Sequence, residues 1–243
     1  MSTGHIVASY DEELAQLHHA ITEMGRLASV QLGQALKATL DRDGDLAAAV
    51  MASDARIDTL ERQVEAQALK VLALRAPVGR DLREVVAALK IATNLERIGD
   101  FAANVAKRSL ALNQLPEVEL TRSLRRIGDA ANDMLTQVVT AYADRDAVAA
   151  LAVRDADSEV DLAYTALFRE LLTYMMEAPQ RITACTHLMF AAKNLERIGD
   201  HATNIAETLC FQIQGRAPET ERTKGDDSAS TVLTPADSPS ASA

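Results

Sequence analysis

The sequence predicts an all-α protein built as two tandem three-helix bundles related by an internal repeat. Three observations carry that expectation. Aromatic residues make up only 3% of the 243-residue chain, Trp is absent and Gly and Pro are sparse. Ala, Leu, Val and Ile must therefore fill the core, and with few breakers that palette favours helices over strands. Apolar residues recur at steps of three and four over long stretches, the spacing of one helix face. Finally, NLERIGDFAANVA, which begins at Asn94, returns at Asn194 as NLERIGDHATNIA, with ten of 13 positions identical. Self-similarity on this scale marks a duplicated structural unit.

The first helical pattern runs over about residues 10–39 and stops at DRDGD, residues 41–45. Gly44 breaks the pattern there, and Asp45 can cap the next helix. That second helix is expected over about 46–75, where Pro77 and Gly79 interrupt it. A third spans about 80–111. NQLPEVEL, with Pro116, is a short polar connector, so residues 1–113 are read as the first bundle and 114–214 as the second. A fourth helix continues to about residue 144, where DRD at 144–146 repeats the acidic loop. The fifth runs to about 177, before Pro179, and the sixth covers about 181–213. Residues 215–243 are rich in Ser, Ala, Thr, Pro and Asp without periodicity. Such a segment cannot bury enough apolar surface to offset its ordering entropy, so it reads as a disordered tail.

Charge and composition narrow the function. A net charge of −10 argues against a nucleic-acid partner, which needs a basic surface. Cys185 and Cys210 are the only cysteines and lie outside any Cys/His metal spacing, consistent with two small buried groups in a reducing compartment. No run approaches the roughly 18 apolar residues of a transmembrane segment. The N-terminus lacks the basic and apolar regions of a secretory signal, so the expected location is cytoplasmic.

In the third helix Ala88, Ile91, Leu95, Ile98, Ala102 and Val105 form the apolar seam. In the sixth, Leu188, Ala191, Leu195, Ile198, Ala202, Ile205 and Leu209 do the same. At about 100° per residue, Glu96, Asp100 and Asn104 fall roughly opposite that seam with Arg97 beside them. Glu196, Asp200, Asn204 and Arg197 do likewise in the second copy. Packing alone would preserve Leu and Ile and gives no reason to keep these polar residues. Each copy also accepts two costs. Like charges at i, i+4 repel by roughly 0.2–0.5 kcal/mol, and a helix-interior glycine, Gly99 or Gly199, costs about 0.8–1 kcal/mol against Ala. Glycine admits a close neighbour, another backbone or a bulky ligand, and paired carboxylates can chelate a hard cation.

The second and fifth helices supply matched pairs, Asp54/Asp58 and Asp157/Asp161. If neighbouring helices align them with the repeated motif, each bundle gathers four carboxylates that would repel without a cation between them. All-oxygen ligation suits Mg, Mn, Ca or oxidised iron rather than a structural zinc. As a bare pattern the acidic i, i+4 pair is common on solvated helices, and Asp41/Asp45 and Asp129/Asp133 read as ordinary pairs. The duplicated context separates the other eight from these. Arg97 and Arg197 have the alternative of local ion pairs with the acids. His201 has no counterpart, since position 101 is Phe, and His18, His19 and His187 show no ligand spacing. No Glu-x-x-His pair, phosphate loop or nucleophile elbow occurs, so no catalyst is expected.

These residues resemble the PhoU family, the accessory and regulatory proteins of phosphate-specific transport, over about residues 10–213. The resemblance implies two three-helix bundles, usually paired as homodimers, with metal clusters on acidic motifs. Carried over, those motifs fall on Asp54, Asp58, Glu96, Asp100, Asp157, Asp161, Glu196 and Asp200, with Arg97, Asn104, Arg197 and Asn204 in support. The implied cofactors are divalent or trivalent ions such as Mg, Mn or Fe. The implied role is negative regulation of the phosphate-starvation response and of phosphate uptake. The adaptor would link the ATPase subunit of a phosphate ABC transporter to a sensor histidine kinase, reaching the membrane only through its partners. A metal-dependent phosphohydrolase and a metal or phosphate buffer are the alternatives.

Because the tail carries no apolar periodicity, truncation after Gly215 is expected to leave the melting temperature nearly unchanged. A loss of several degrees would mean that the tail docks on a bundle.

Overall fold

The computed structural model describes residues 3–118 and 121–216; the tail expected to be disordered lies outside this range from residue 217 on. The fold is all-helical. Helix α1 is Thr3–Leu40, α2 Gly44–Ser53, α3 Ala55–Arg75, α4 Gly79–Leu112, α5 Thr121–Asp144, α6 Ala147–Glu177 and α7 Ile182–Gln214. A 3₁₀ turn, Pro179–Arg181, precedes α7. No strand occurs among the described residues. Each half is a three-helix bundle, with α1, α2–α3 and α4 in the first and α5, α6 and α7 in the second.

The expected breaks are where the chain turns, with two corrections. The cap of the second helix is Asp43, not Asp45: its side chain accepts the Leu46 N–H. In the repeated loop Asp146 accepts from Val148 and Ala149. The helix expected over 46–75 is two helices hinged at Asp54. The Asp54 carbonyl accepts the Ile57 N–H at 2.9 Å and the Asp58 N–H at 3.4 Å, so the turn tightens toward 3₁₀ there. Asp54 itself keeps helical dihedrals, φ −57° and ψ −41°, which is why no breaker residue announces the hinge.

The two halves form one body. Helix α4 packs against α7, its own repeat, while α1 packs against α5. Each repeated helix also meets the acid-bearing helix of its own half, α3 for α4 and α6 for α7. Contacts across the α1–α5 seam are reciprocal. A Cβ on Gly25 would lie 2.3 Å from Val139, and one on Gly128 would lie 2.6 Å from Leu36. These four positions pair at a separation of 103 residues, Gly25 with Gly128 and Leu36 with Val139. Ser29 and Asn132, another pair at that separation, hydrogen-bond directly, Ser29 Oγ donating to Asn132 Oδ1 at 2.9 Å. The duplication therefore extends well beyond the one conspicuous motif. The offset is 103 for α1/α5 and for the acidic pairs of α3/α6, and 100 for α4/α7.

Val139 is β-branched and stiff at χ1, so it cannot swing aside for a new methyl group. Gly25→Ala is expected to cost about 1–3 kcal/mol through overpacking of the α1–α5 seam. A thermal melt checks this; an unchanged melting temperature would mean that the two helices slide apart freely.

Candidate functional site

The acidic residues of the first half do converge. Asp54 sits at the α2–α3 hinge, and its Oδ1 accepts a hydrogen bond from Gln31 Nε2 at 2.9 Å. The same amide donates to the Gly99 carbonyl at 3.2 Å, tying the hinge to α4. A Cβ on Gly99 would stand 3.0 Å from Ile57 Cδ1 and 3.1 Å from Asp54 Oδ1. The glycine in the repeated motif is thus the notch into which the acid-bearing helix fits, and the close neighbour it admits is a carboxylate.

Electrostatics report the same convergence. Burial pushes the Asp54 carboxyl above its ordinary pKa and the charges of Asp100 and Asp58 push it further, against the Gln31 hydrogen bond. Glu96 is also raised, first by burial, then by Asp100, Glu61 and Asp58, with Arg97 opposing. Arg97 spans the motif from solvent, with Nη1 3.3 Å from Asp100 Oδ2 and Nε 3.6 Å from Glu96 Oε2. At 55% side-chain exposure such pairs are weak.

The second half repeats the notch. A Cβ on Gly199 would stand 3.1 Å from Asp157 Oδ1 and 3.5 Å from Val160. Here the expectation of a face that packing does not dictate fails for Glu196, which is only 4% exposed, and Asp157 and Asp161 on α6 are 1% and 2% exposed. The reason is tertiary. Helix α7 is flanked by α4, α5 and α6, so Glu196 is covered while Arg197 and Asn204 of the same stripe stay exposed. Lys193 enters this stripe, its Nζ 2.9 Å from Glu196 Oε1 and 4.8 Å from the centre of the Tyr164 ring.

The supporting residues divide. Arg197 lies over the Phe101 ring at 5.3 Å. Asn104 and Asn204 are exposed, and Asn204 borders a cleft with Lys90, Glu207, Thr208 and Phe211. Asn94, in the motif but off its acidic stripe, proves to be a cross-repeat contact. His201 Nδ1–H donates to its Oδ1 at 2.8 Å, beside the Phe101 ring at 5.4 Å. Burial, more than any neighbouring charge, lowers the pKa of that imidazole. Gln31, Glu61, Arg154, Tyr164 and Lys193 were not singled out in the sequence. The signal that finds them is the repeat offset, 103 residues for Gln31, Glu61, Arg154 and Tyr164 and 100 for Lys193, which aligns the halves outside the repeated motif.

The donor set is carboxylate oxygen, and each glycine leaves a cradle that a Cβ would fill, so the residues suit a hard cation. As they stand, no three His, Cys, Asp or Glu side chains among the described residues are gathered into a coordination sphere. An ion would have to draw the carboxylates inward, away from Gln31 and Arg97. Among the described residues no helix is long and apolar enough to cross a membrane.

Comparison with known proteins gives a consistent result. The PhoU domain matches the chain twice, over residues 21–109 and 121–209. The chain is 50% identical to the phosphate-specific transport system accessory protein PhoU homolog of Caulobacter vibrioides (strain NA1000 / CB15N), over 92% of this chain and 98% of that one. It is 48% identical to the protein of the same name from Xylella fastidiosa (strain Temecula1), over 94% and 95%. The crystal structure of PhoU from Pseudomonas aeruginosa superposes with a TM-score of 0.83 at 36% identity, covering 85% of this chain and all of that one, 100%. The phosphate transport system regulatory protein PhoU from Streptococcus pneumoniae gives 0.80 at 29% identity, covering 87% and 100%.

A carboxyl whose pKa is raised by folding holds its proton more tightly folded than unfolded. It therefore subtracts stability as pH rises from the usual carboxylate range, about 4, through its raised value. For Asp54 and Glu96 in metal-free protein, Asp54→Asn and Glu96→Gln are each expected to raise the urea midpoint at pH 7, with the gain shrinking toward pH 4. A gain as large at pH 4 as at pH 7 would remove like-charge crowding as the cause.

Proposed function

The chain belongs to the PhoU family, and on that premise we propose that it is a negative regulator of phosphate uptake and of the phosphate-starvation response. The observation that carries this reading is the double domain match across the chain, joined to relatives of nearly equal length whose name is phosphate-specific transport system accessory protein. In this reading the protein works by contact rather than by turnover, which the acidic, all-helical surface supports. It acts in the cytoplasm as a homodimer, joining the ATPase subunit of a phosphate ABC transporter to a sensor histidine kinase. When phosphate is plentiful it holds the kinase inactive and restrains uptake.

The metal reading belongs to the same proposal. Asp54, Asp58, Glu96 and Asp100 are the ligand set for a divalent or trivalent ion such as Mg, Mn or Fe. Matching by sequence alone would make Asp157, Asp161, Glu196 and Asp200 a second ligand set, but the groups around them argue for a different counter-charge. The ion, when bound, neutralises the crowded carboxylates and adds stability by mass action. In this reading the side chains do the holding: Gln31 ties Asp54 to α4, and the Gly99 notch lets Asp54 approach that helix closely.

Affinity capture from cells grown in high and in low phosphate tests the adaptor role. The expected result is recovery of a transporter ATPase and a histidine kinase, with the ratio changing with phosphate. Recovery of neither, together with phosphate-ester hydrolysis that rises with added Mn, would replace the adaptor with a phosphohydrolase.

A further inference from the structure

The two acidic clusters differ at the positions that surround them. Taken at the 103-residue offset, Gln31 corresponds to Met134, Met51 to Arg154 and Glu61 to Tyr164; at the 100-residue offset, Thr93 corresponds to Lys193. Around the first cluster the neighbours are therefore a neutral amide, a thioether, a fifth carboxylate and a hydroxyl. Thr93 Oγ1 donates to Glu61 Oε1 at 3.2 Å, which holds that extra acid on the α4 side. The matching positions of the second half carry a thioether, two cations and a phenol ring.

Burial differs in the same sense. The first four carboxylates are all partly exposed, whereas three of the second four are buried. Buried carboxylates stay ionised only when opposite charge and hydrogen bonds accompany them. The second half supplies that charge from its own chain. Lys193, its side chain 38% exposed, lies within hydrogen-bond distance of Glu196 and against the Tyr164 face, where the ring adds a cation–π attraction. Arg154, one turn before Asp157 on α6, keeps its side chain only 9% exposed and pairs with the neighbouring Asp155 Oδ1 at 3.4 Å. Its charge reaches Cys210 on α7, where it partly offsets the burial that pushes that thiol up.

We propose that Lys193, backed by Arg154, is a built-in counter-cation of the second acidic cluster, so that the first half takes up an external metal ion and the second does not. The proposal rests on the metal reading for the first half; for the second it stands on Lys193 alone. The lysine fills by covalent attachment the role that the ion has in the first half, and the copies of the duplicated motif have become one metal-responsive half and one metal-independent half.

Mn²⁺ titration of chelator-stripped full-length protein, followed by calorimetry and thermal melting, tests this. In the wild type, Asp100→Asn is expected to abolish Mn uptake. Lys193→Met keeps the stem and drops the charge. It is expected to lower the metal-free melting temperature and to add a second class of Mn site, which Asp200→Asn then removes. Lys193→Arg keeps the charge and gains no such site. Thr93→Lys is expected to weaken first-half uptake at least tenfold, and it decides the matter should Lys193→Met not fold. Substantial Mn retained by Asp100→Asn, or an unchanged Mn stoichiometry in Lys193→Met, overturns the proposal. If the wild type takes up no Mn at all, the metal reading of the first half falls. Gain of a site in Lys193→Met would still support the counter-cation, and no gain would overturn it.

Discussion

The constraint from which the rest of the structure follows is that α4 and α7, the two copies of one helix, are each wedged between neighbours. Each packs on the other copy and on the acid-bearing helix of its own half. An isolated amphipathic helix buries one stripe and leaves the opposite stripe to water. A wedged helix keeps only a narrow free side, where Arg97, Asn104, Arg197 and Asn204 meet solvent, and the polar residues turned toward a neighbour must be matched by what faces them. The Gly99 and Gly199 notches let the neighbouring helix come so close that a carboxylate oxygen would stand 3.1 Å from a methyl group at either glycine. Close approach of acid to acid is the direct consequence, and the electrostatics of the site express it: the raised Asp54 and Glu96 carboxyls are the cost of that packing.

Much of this was legible from the chain. Helix number and order in each half, the breaks at Pro77 and Pro179 and the apolar seams follow from periodicity and from residues that cannot continue a helix. The partnership of Asp54 with the Glu96–Asp100 helix was legible too, because a pair at i, i+4 recurs beside the same motif in both halves. The hinge at Asp54 was not, since it is made by a tertiary hydrogen bond from Gln31 and by the fit of Ile57 over Gly99, with ordinary helical dihedrals throughout. The burial of Asp157, Asp161 and Glu196 was hidden for the same reason. A helical wheel assigns one buried face per helix and carries no information about a second neighbour. Asn94 shows the limit most clearly: as a polar residue off the stripe it reads as a cap for a partner segment or as plain surface, and periodicity does not point to its partner His201, 107 positions away on the other copy.

The duplication has conserved and relaxed different things. Where two copies of a position meet each other across the seam, both are constrained at once. Gly25 and Gly128 keep the same small residue because each faces the bulky partner of the other, Val139 and Leu36. Ser29 and Asn132 differ but still satisfy one another. Where a position faces only its own half, the copies are free to part. Gln31 and Met134, Glu61 and Tyr164, and Thr93 and Lys193 are of this second kind, and all of them surround the acidic clusters.

That division bears on how a charged site can change without loss of the fold. A new cation beside Glu196 does not disturb the α4–α7 contact, because Lys193 reaches Glu196 and Tyr164 within its own half. The eight carboxylates can then stay unaltered while the groups around them set how each cluster is neutralised. With partial exposure and a fifth acid, the first cluster keeps its excess charge open to solvent, where an ion or a partner's basic side chain can answer it. With three of its acids buried and Lys193 beside Glu196, the second carries a counter-charge of its own. A single sequence motif written twice thus does not specify one chemistry. The motif sets the notch and the carboxylates, and the residues at the unconstrained neighbouring positions decide what balances them.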